Sequence, residues 1–176
     1  MTNLRELHLS AQPTFDEQAL QHLGRLHQLE IIDTSRLPIS SQGLAHLTNL
    51  RSLRKISIDR SANFGDNDVA ILSKFPGLRQ LRLANNQVTD AALDHIATLA
   101  EVTELSLYDN PITDEGIVRL VGKLELEKLE LNCTKVTNAS AAHLASFSHL
   151  QELGLGRTTE AEASTRRSVG IFSRGR

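Results

Sequence analysis

An α/β solenoid, with a parallel sheet lining its concave side and short helices on its convex side, is the fold class the sequence predicts. Three observations predict it. A short run of the form L-x-x-L-x-L returns along the chain, it returns at a nearly fixed stride, and the residues between its copies carry helix caps and a period-three apolar stripe. Leu4-Arg5-Glu6-Leu7-His8-Leu9 is the first copy, and others begin at Leu29, Leu53, Leu78, Val102, Leu126 and Leu150. Successive starts differ by 24 or 25 residues. A stride held over six intervals marks an array of equivalent units rather than one folded core.

Each copy alternates apolar with polar residues, as a half-buried strand does. The poorest copy ends on Thr34 in place of an aliphatic residue. The second half of each unit opens on an apolar residue (Phe15, Ile39, Phe64, Val88, Ile112 or Val136). A capping position follows, filled by Asp16, Ser40, Gly65, Thr89, Thr113 and Thr137, residue types that suit the free amides of a first helical turn. The next position is acidic in Glu17, Asp66, Asp90 and Asp114, which favours the positive end of the helix dipole. Apolar residues then recur every third position, as in Leu44, Leu47 and Leu50 or Leu93, Ile96 and Leu99. The fifth unit breaks step, because Lys123 stands where the stripe expects an apolar residue, and Leu124 is expected to take its place. One unit cannot bury both leucine sets alone; stacked units can, and their strands then pair in parallel. Crossover chirality makes the β-α superhelix right-handed. Helices are wider than strands, so the strands line the concave side.

The chain has 176 residues and is read as one array over 1–158, about six full units plus a seventh strand, followed by a disordered or aberrant tail over 159–176. Arg157, Arg166, Arg167, Arg174 and Arg176 against Glu160 and Glu162 offer a second reading of that end as a basic tail. No cap precedes Leu4, and the last helical half never arrives, so the chain is expected to be a piece of a longer array with further repeats or caps at either end. The formal net charge of −2 provides no field to hold a polyanion, and 3 % aromatic content offers few stacking platforms, so nucleic acid is not expected as a partner. A single cysteine, Cys133, makes neither an internal disulfide nor a cysteine-based zinc site. No 18-residue apolar run or leading apolar segment is present, which points away from membranes and toward the cytoplasm.

The units resemble leucine-rich repeats. Leu81-x-Leu83-x-x-Asn86-x-Val88-Thr89-Asp90 and Leu105-x-Leu107-x-x-Asn110-x-Ile112-Thr113-Asp114-x-Gly116 carry the resemblance. Gly43-Leu44-Ala45-His46-Leu47 and Gly116-Ile117-Val118-Arg119-Leu120 are most similar to the bacterial GALA-type and the related cysteine-containing class, the latter found in substrate-receptor F-box proteins. The resemblance implies that Asn86 and Asn110 are rungs of an asparagine ladder. Thr134 and Thr158 share that column, whereas Leu37 and Ser61 depart from it, so the ladder is expected to break in units two and three.

No nucleophile, base and orienting group fall together. Cys133 follows a strand, and His143 lies on the helix side of the same unit, so neither catalysis nor a cofactor is expected. His22, His46, His95 and His143 share one convex column, which reads as a solvated position copied with the repeat rather than a metal site. The concave face is the better candidate. There the polar positions differ from unit to unit while the core columns repeat, so a constant scaffold carries a variable surface. Arg60, Arg82, Tyr108 and Asp109 are the expected anchors for a protein partner, with Asp33, Asp59 and Glu130 beside them. Ser57 and Ala84 are expected on the same face. The leading function is a non-catalytic protein-binding scaffold. The alternatives are a substrate-recognition fragment of a ubiquitin-ligase-type or bacterial effector protein, an enzyme acting through Cys133, and a structural segment of a larger protein.

Overall fold

The computed structural model describes residues 3–11, 14–122 and 125–158. The expected tail 159–176 and the shift at Lys123 and Leu124 lie outside the described residues. Seven strands form one sheet in chain order: β1 Glu6–Ser10, β2 Ile31–Ser35, β3 Lys55–Asp59, β4 Gln80–Ala84, β5 Glu104–Ser106, β6 Lys128–Glu130 and β7 Glu152–Gly154. All neighbours pair in parallel, and the register aligns each residue with its repeat equivalent, as in Ile32, Ile56, Leu81, Leu105, Leu129 and Leu153.

Six helices return the chain: α1 Leu20–Leu23, α2 Ser41–Ala45, α3 Asp66–Val69, α4 Asp90–Ile96, α5 Asp114–Leu120 and α6 Ala141–Ala145. They are short, and 3-10 turns at Glu17–Ala19, Ala70–Lys74 and Asn138–Ser140 extend three of them. A 3-10 turn repeats every three residues, which matches an apolar stripe at strict third positions. The oxygen side chains of Asp16, Ser40, Thr89, Thr113 and Thr137 each accept from an amide of the first turn, as their column predicts. Gly65 has no such oxygen, and its own amide donates to Asp68 instead.

The two leucine sets meet in one core. Leu29, Leu53, Leu78, Val102 and Leu126 from the strand side, and Leu44, Val69, Leu93 and Ile117 from the helix side, are each at most 2 % exposed. Burying each such side chain contributes about 1.5–3 kcal/mol, which no isolated unit could collect. Thr34, the one strand-end departure, is also buried and donates its hydroxyl to the Ser57 carbonyl on the next strand. A polar group at a core position is tolerated because it is satisfied.

Three polar ladders cross the units. In the first, Asn86 accepts from the Ser61 amide and donates to the Ile58 carbonyl, while Asn110 accepts from the Val88 amide and donates to the Leu83, Leu107 and Tyr108 carbonyls. Ser61 corrects the expected break in unit three. Its buried hydroxyl accepts from the Ile39 amide at 3.0 Å and donates to the Ile39 carbonyl at 2.9 Å. One hydroxyl can do both, so it replaces an asparagine here. At Leu37 the column is apolar and packs in the core.

The second ladder is made by backbone in a left-handed conformation. Ala11, Arg36, Arg60, Asn85, Asp109, Cys133 and Arg157, one per unit, have φ between 42° and 60°. Each of the first six donates its amide to a carbonyl of the following unit, as Arg36 does to Asp59 at 2.8 Å. This conformation costs a side-chain-bearing residue about 1–2 kcal/mol, and the inter-unit bond offsets that cost.

The third ladder uses the acidic column. Asp90 accepts from the Thr113 amide at 2.9 Å and from its hydroxyl at 2.5 Å; Asp66 serves Thr89, Asp114 serves Thr137, and Glu17 serves Ser40 in the same way. These carboxylates therefore anchor the helix start of the next unit, in addition to lying at the head of their own helix. Ser41 occupies the column in unit two and has no carboxylate to extend. There Asp68 reaches back from unit three to the Ser41 amide at 2.7 Å.

Burial alone would raise the Asp114 carboxyl, but hydrogen bonds from Ser140 and Thr137 outweigh it and hold the group below the usual carboxylate range. A depressed native pKa gives stability that is present above the unfolded carboxylate value of about 3.9 and lost as pH falls through the native one. Asp114→Asn is accordingly expected to be less stable than the parent near neutrality, with the gap narrowing as pH falls below the unfolded carboxylate value of about 3.9. Urea midpoints measured across that range check this, and a gap that stays constant would contradict it.

Candidate binding face

The helices cover one side of the sheet, and the alternation of the strands leaves three columns of side chains on the other. The central column runs His8, Asp33, Ser57, Arg82, Ser106, Glu130 and Gly154 in register. Arg82 lies along the sheet across two strands, its Nη1 donating to Ser106 Oγ at 3.1 Å and to Glu130 Oε2 at 3.0 Å. Ser106 donates to the same Glu130 oxygen at 2.5 Å. Arg82 and Glu130 are thus brought together, both half-buried.

The other expected residues fall into smaller groups. Asp59 ends β3, accepts from Asn85 Nδ2 at 2.7 Å, and sits 3.5 Å from Nη1 of exposed Arg60. Asp33 stands apart from these residues in β2, 3.9 Å from His8 Nδ1. Tyr108 follows β5 and meets Cys133 of the next unit; Asp109 beside it is exposed in the left-handed turn. Ser57 and Ala84 do not belong to the exposed face, being 2 % and 0 % exposed. Both are short and have longer side chains in register with them, Arg82 beside Ser57 and Asp59 beside Ala84.

A hydrogen bond with Cys133 is the largest cause holding the Tyr108 phenol above its ordinary value; the charge on Cys133, burial and Asp109 act the same way, and Arg157 opposes them. Tyr108 is the only tyrosine, and there is no tryptophan, so ultraviolet titration reads this phenol alone. Cys133→Ala is expected to move its midpoint down toward about 10. An unmoved midpoint would show that the thiol does not control it.

The column Lys55, Gln80, Glu104, Lys128 and Glu152 also lies on this face and was not among the expected site residues. Gln80 donates to Glu104 at 2.9 Å, and Lys128 pairs with Glu152 at 2.8 Å. The Glu152 hydrogen bond is the main reason the Lys128 ammonium titrates above its usual range. Lys55, Gln80, Arg82, Glu104, Lys128 and Glu130 border one shallow hollow of about 240 Å³. The signal was in the repeat itself, since the second variable position of L-x-x-L-x-L points to the same side as the third.

His22, His95 and His143 are exposed on α1, α4 and α6, and His46 is exposed just past the end of α2. Among the described residues no group of three His, Cys, Asp or Glu side chains gathers as a metal site needs. No helix among them is long and apolar enough to cross a membrane.

The sheet's parallel order, the asparagine rungs and the one-residue left-handed turn after each strand decide the architecture. The fold is a leucine-rich-repeat solenoid. Solved structures agree. An internalin C2 (inlC2) from Listeria monocytogenes superposes with a TM-score of 0.59 at 24 % identity over 88 % of this chain. A plant peptide hormone receptor, RGFR1 in complex with RGF2, superposes with a TM-score of 0.51 at 15 % identity over 89 %. The solenoid spans 62 % of the internalin and 29 % of the receptor chain. No family model matches the chain, and no curated protein does.

Proposed function

We propose that this leucine-rich-repeat chain is a non-catalytic scaffold that binds a protein partner on the open face of its sheet. The observation that supports the reading is the contrast between columns. Core positions are apolar in almost every unit, Thr34 being the departure, while the face positions vary in charge and size along each column, as from Ser57 to Arg82, Ser106 and Glu130. Arg60, Arg82, Tyr108 and Asp109 are the contact residues, with Asp33, Asp59 and Glu130 flanking them. The receptor similar to this chain was solved with a peptide hormone, which is consistent with a polypeptide partner here. The GALA-type reading, with a role in substrate recognition for a ubiquitin ligase or effector, leans on Gly43 and Gly116. Both glycines have a packing reason of their own, since a side chain at either would meet a carboxylate, Glu17 or Asp90.

Arg82→Ala combined with Tyr108→Ala tests the proposal. Partner affinity is expected to fall at least about tenfold, about 1.4 kcal/mol. Stability should change by less than about 1 kcal/mol, because the Arg82–Glu130 pair is partly solvated. Calorimetric titration with a captured partner reads the first and urea unfolding the second. An unchanged dissociation constant would remove this face from the function.

A further inference from the structure

The open face is electrically divided. Over residues 54–60 and 79–85, Arg54, Lys55, Arg60, Arg79 and Arg82 stand against Asp59 alone, net +4. Over the next two units, residues 103–109 and 127–133, Glu104, Asp109, Glu127 and Glu130 stand against Lys128 alone, net −3. The halves are adjacent, since β3 pairs with β4, β4 with β5 and β5 with β6.

The charges cancel only in part, through Arg60 with Asp59, Arg82 with Glu130 and Lys128 with Glu152. Among the described residues only Arg82 and Glu130 form an ion pair across the boundary, while Glu104 accepts there from the uncharged Gln80 amide. On the basic side, Arg54, Lys55 and Arg79 border a hollow of about 380 Å³ together with Glu30, Ile31 and Gln80, and Glu30 is engaged by Arg5 at 2.8 Å. Arg54 and Arg79 are exposed and Lys55 half-exposed. The whole chain is close to neutral, so the division is local to this face and provides no general attraction for a polyanion.

Taking the face as the binding site proposed above, we propose that its occupant is an extended polypeptide segment of split charge. The segment lies across the strands with carboxylates over β3 and β4 and with lysines or arginines over β5 and β6. Strands are about 4.8 Å apart and an extended residue advances about 3.3 Å, so the two charge centres of the ligand stand about three residues apart. Such an arrangement suppresses wrong partners, because a segment of uniform charge is repelled by one half of the face.

The test uses two fluorescent synthetic peptides of equal length and composition, one with about three glutamates followed by about three lysines and one with the same residues alternating. At low ionic strength, where exposed charges are least screened, the block peptide is expected to bind at least tenfold more tightly. Lys55→Glu with Arg79→Glu, positions outside all three ladders, should remove that preference. Equal binding of the two peptides, no binding of the block peptide, or tighter binding of an equally charged single-stranded oligonucleotide would overturn the proposal. If the Arg82→Ala, Tyr108→Ala pair still releases a natural partner while the peptides are not discriminated, the face keeps its role and only the charge division loses its meaning.

Discussion

Asn110→Ala is expected to lower the unfolding free energy by about 3 kcal/mol, one of the two largest effects foreseen for a single side chain here. Asn110 is 3 % exposed, and its amide group serves the Val88 amide and the carbonyls of Leu83, Leu107 and Tyr108. Truncation leaves at least the Val88 amide buried without its acceptor, and each such loss costs about 1–3 kcal/mol. Two units are damaged together, because the rung joins the turn of unit five to that of unit four. Exposed Asn67→Ala is the control and should change stability by no more than about 0.5 kcal/mol. Urea unfolding of both variants measures the difference. Similar midpoints for the two would show that the ladder contributes little.

Gly116→Val should be comparably damaging, about 3 kcal/mol, through a different route. A Cβ at Gly116 would collide with Asp90 Oδ1 and come within 2.7 Å of Leu93 Cδ1. Asp90 cannot withdraw freely, because it holds the amide and hydroxyl of Thr113. The variant must either break that anchor or displace α5 from α4, and overpacking of this kind costs about 1–3 kcal/mol before lost hydrogen bonds are added. The explanation has an internal check. In an Asp90→Ala background the nearer of the two obstacles is gone and only Leu93 remains, so Gly116→Ala should cost less there than in the parent, a coupling readable from a double-mutant cycle. Additive effects would mean that the glycine has another reason to be there.

The parts of the fold that hydrophobic period and cap chemistry control were legible in the sequence. Seven strands, the helix starts at Ser40, Thr89, Thr113 and Thr137, and the leucine columns lie where the pattern places them. What escaped depends on contacts between units. Asp66, Asp90 and Asp114 read as helix-dipole residues, yet each binds the next unit's cap, a relation invisible until the stack is built. Ser61 looked like a gap because its residue type departs from asparagine, although a buried hydroxyl both donates and accepts. The left-handed column gave no warning, since among its members only Asn85 and Asp109 are types that favour this conformation. On the candidate face, Asp59, Arg82 and Glu130 lie where alternation puts them, whereas Arg60 owes its exposure to the left-handed turn that follows β3. The Lys55 to Glu152 column was passed over, and Ser57 was placed outside because alternation gives direction but not the reach of neighbouring side chains.

Apart from Asp68, which reaches back to Ser41, the carboxylate rungs have a direction. Glu17, Asp66, Asp90 and Asp114 each hold a residue about 23 positions further along the chain, while Asn86 and Asn110 bind backward to the turn already formed. During synthesis the amino-terminal coil is completed first, so a newly exposed coil meets an acceptor already fixed in space and, on docking, closes the open turn behind it. Growth by accretion of this sort asks each step for local closure only, and a nascent chain can consolidate turn by turn before its carboxyl end exists.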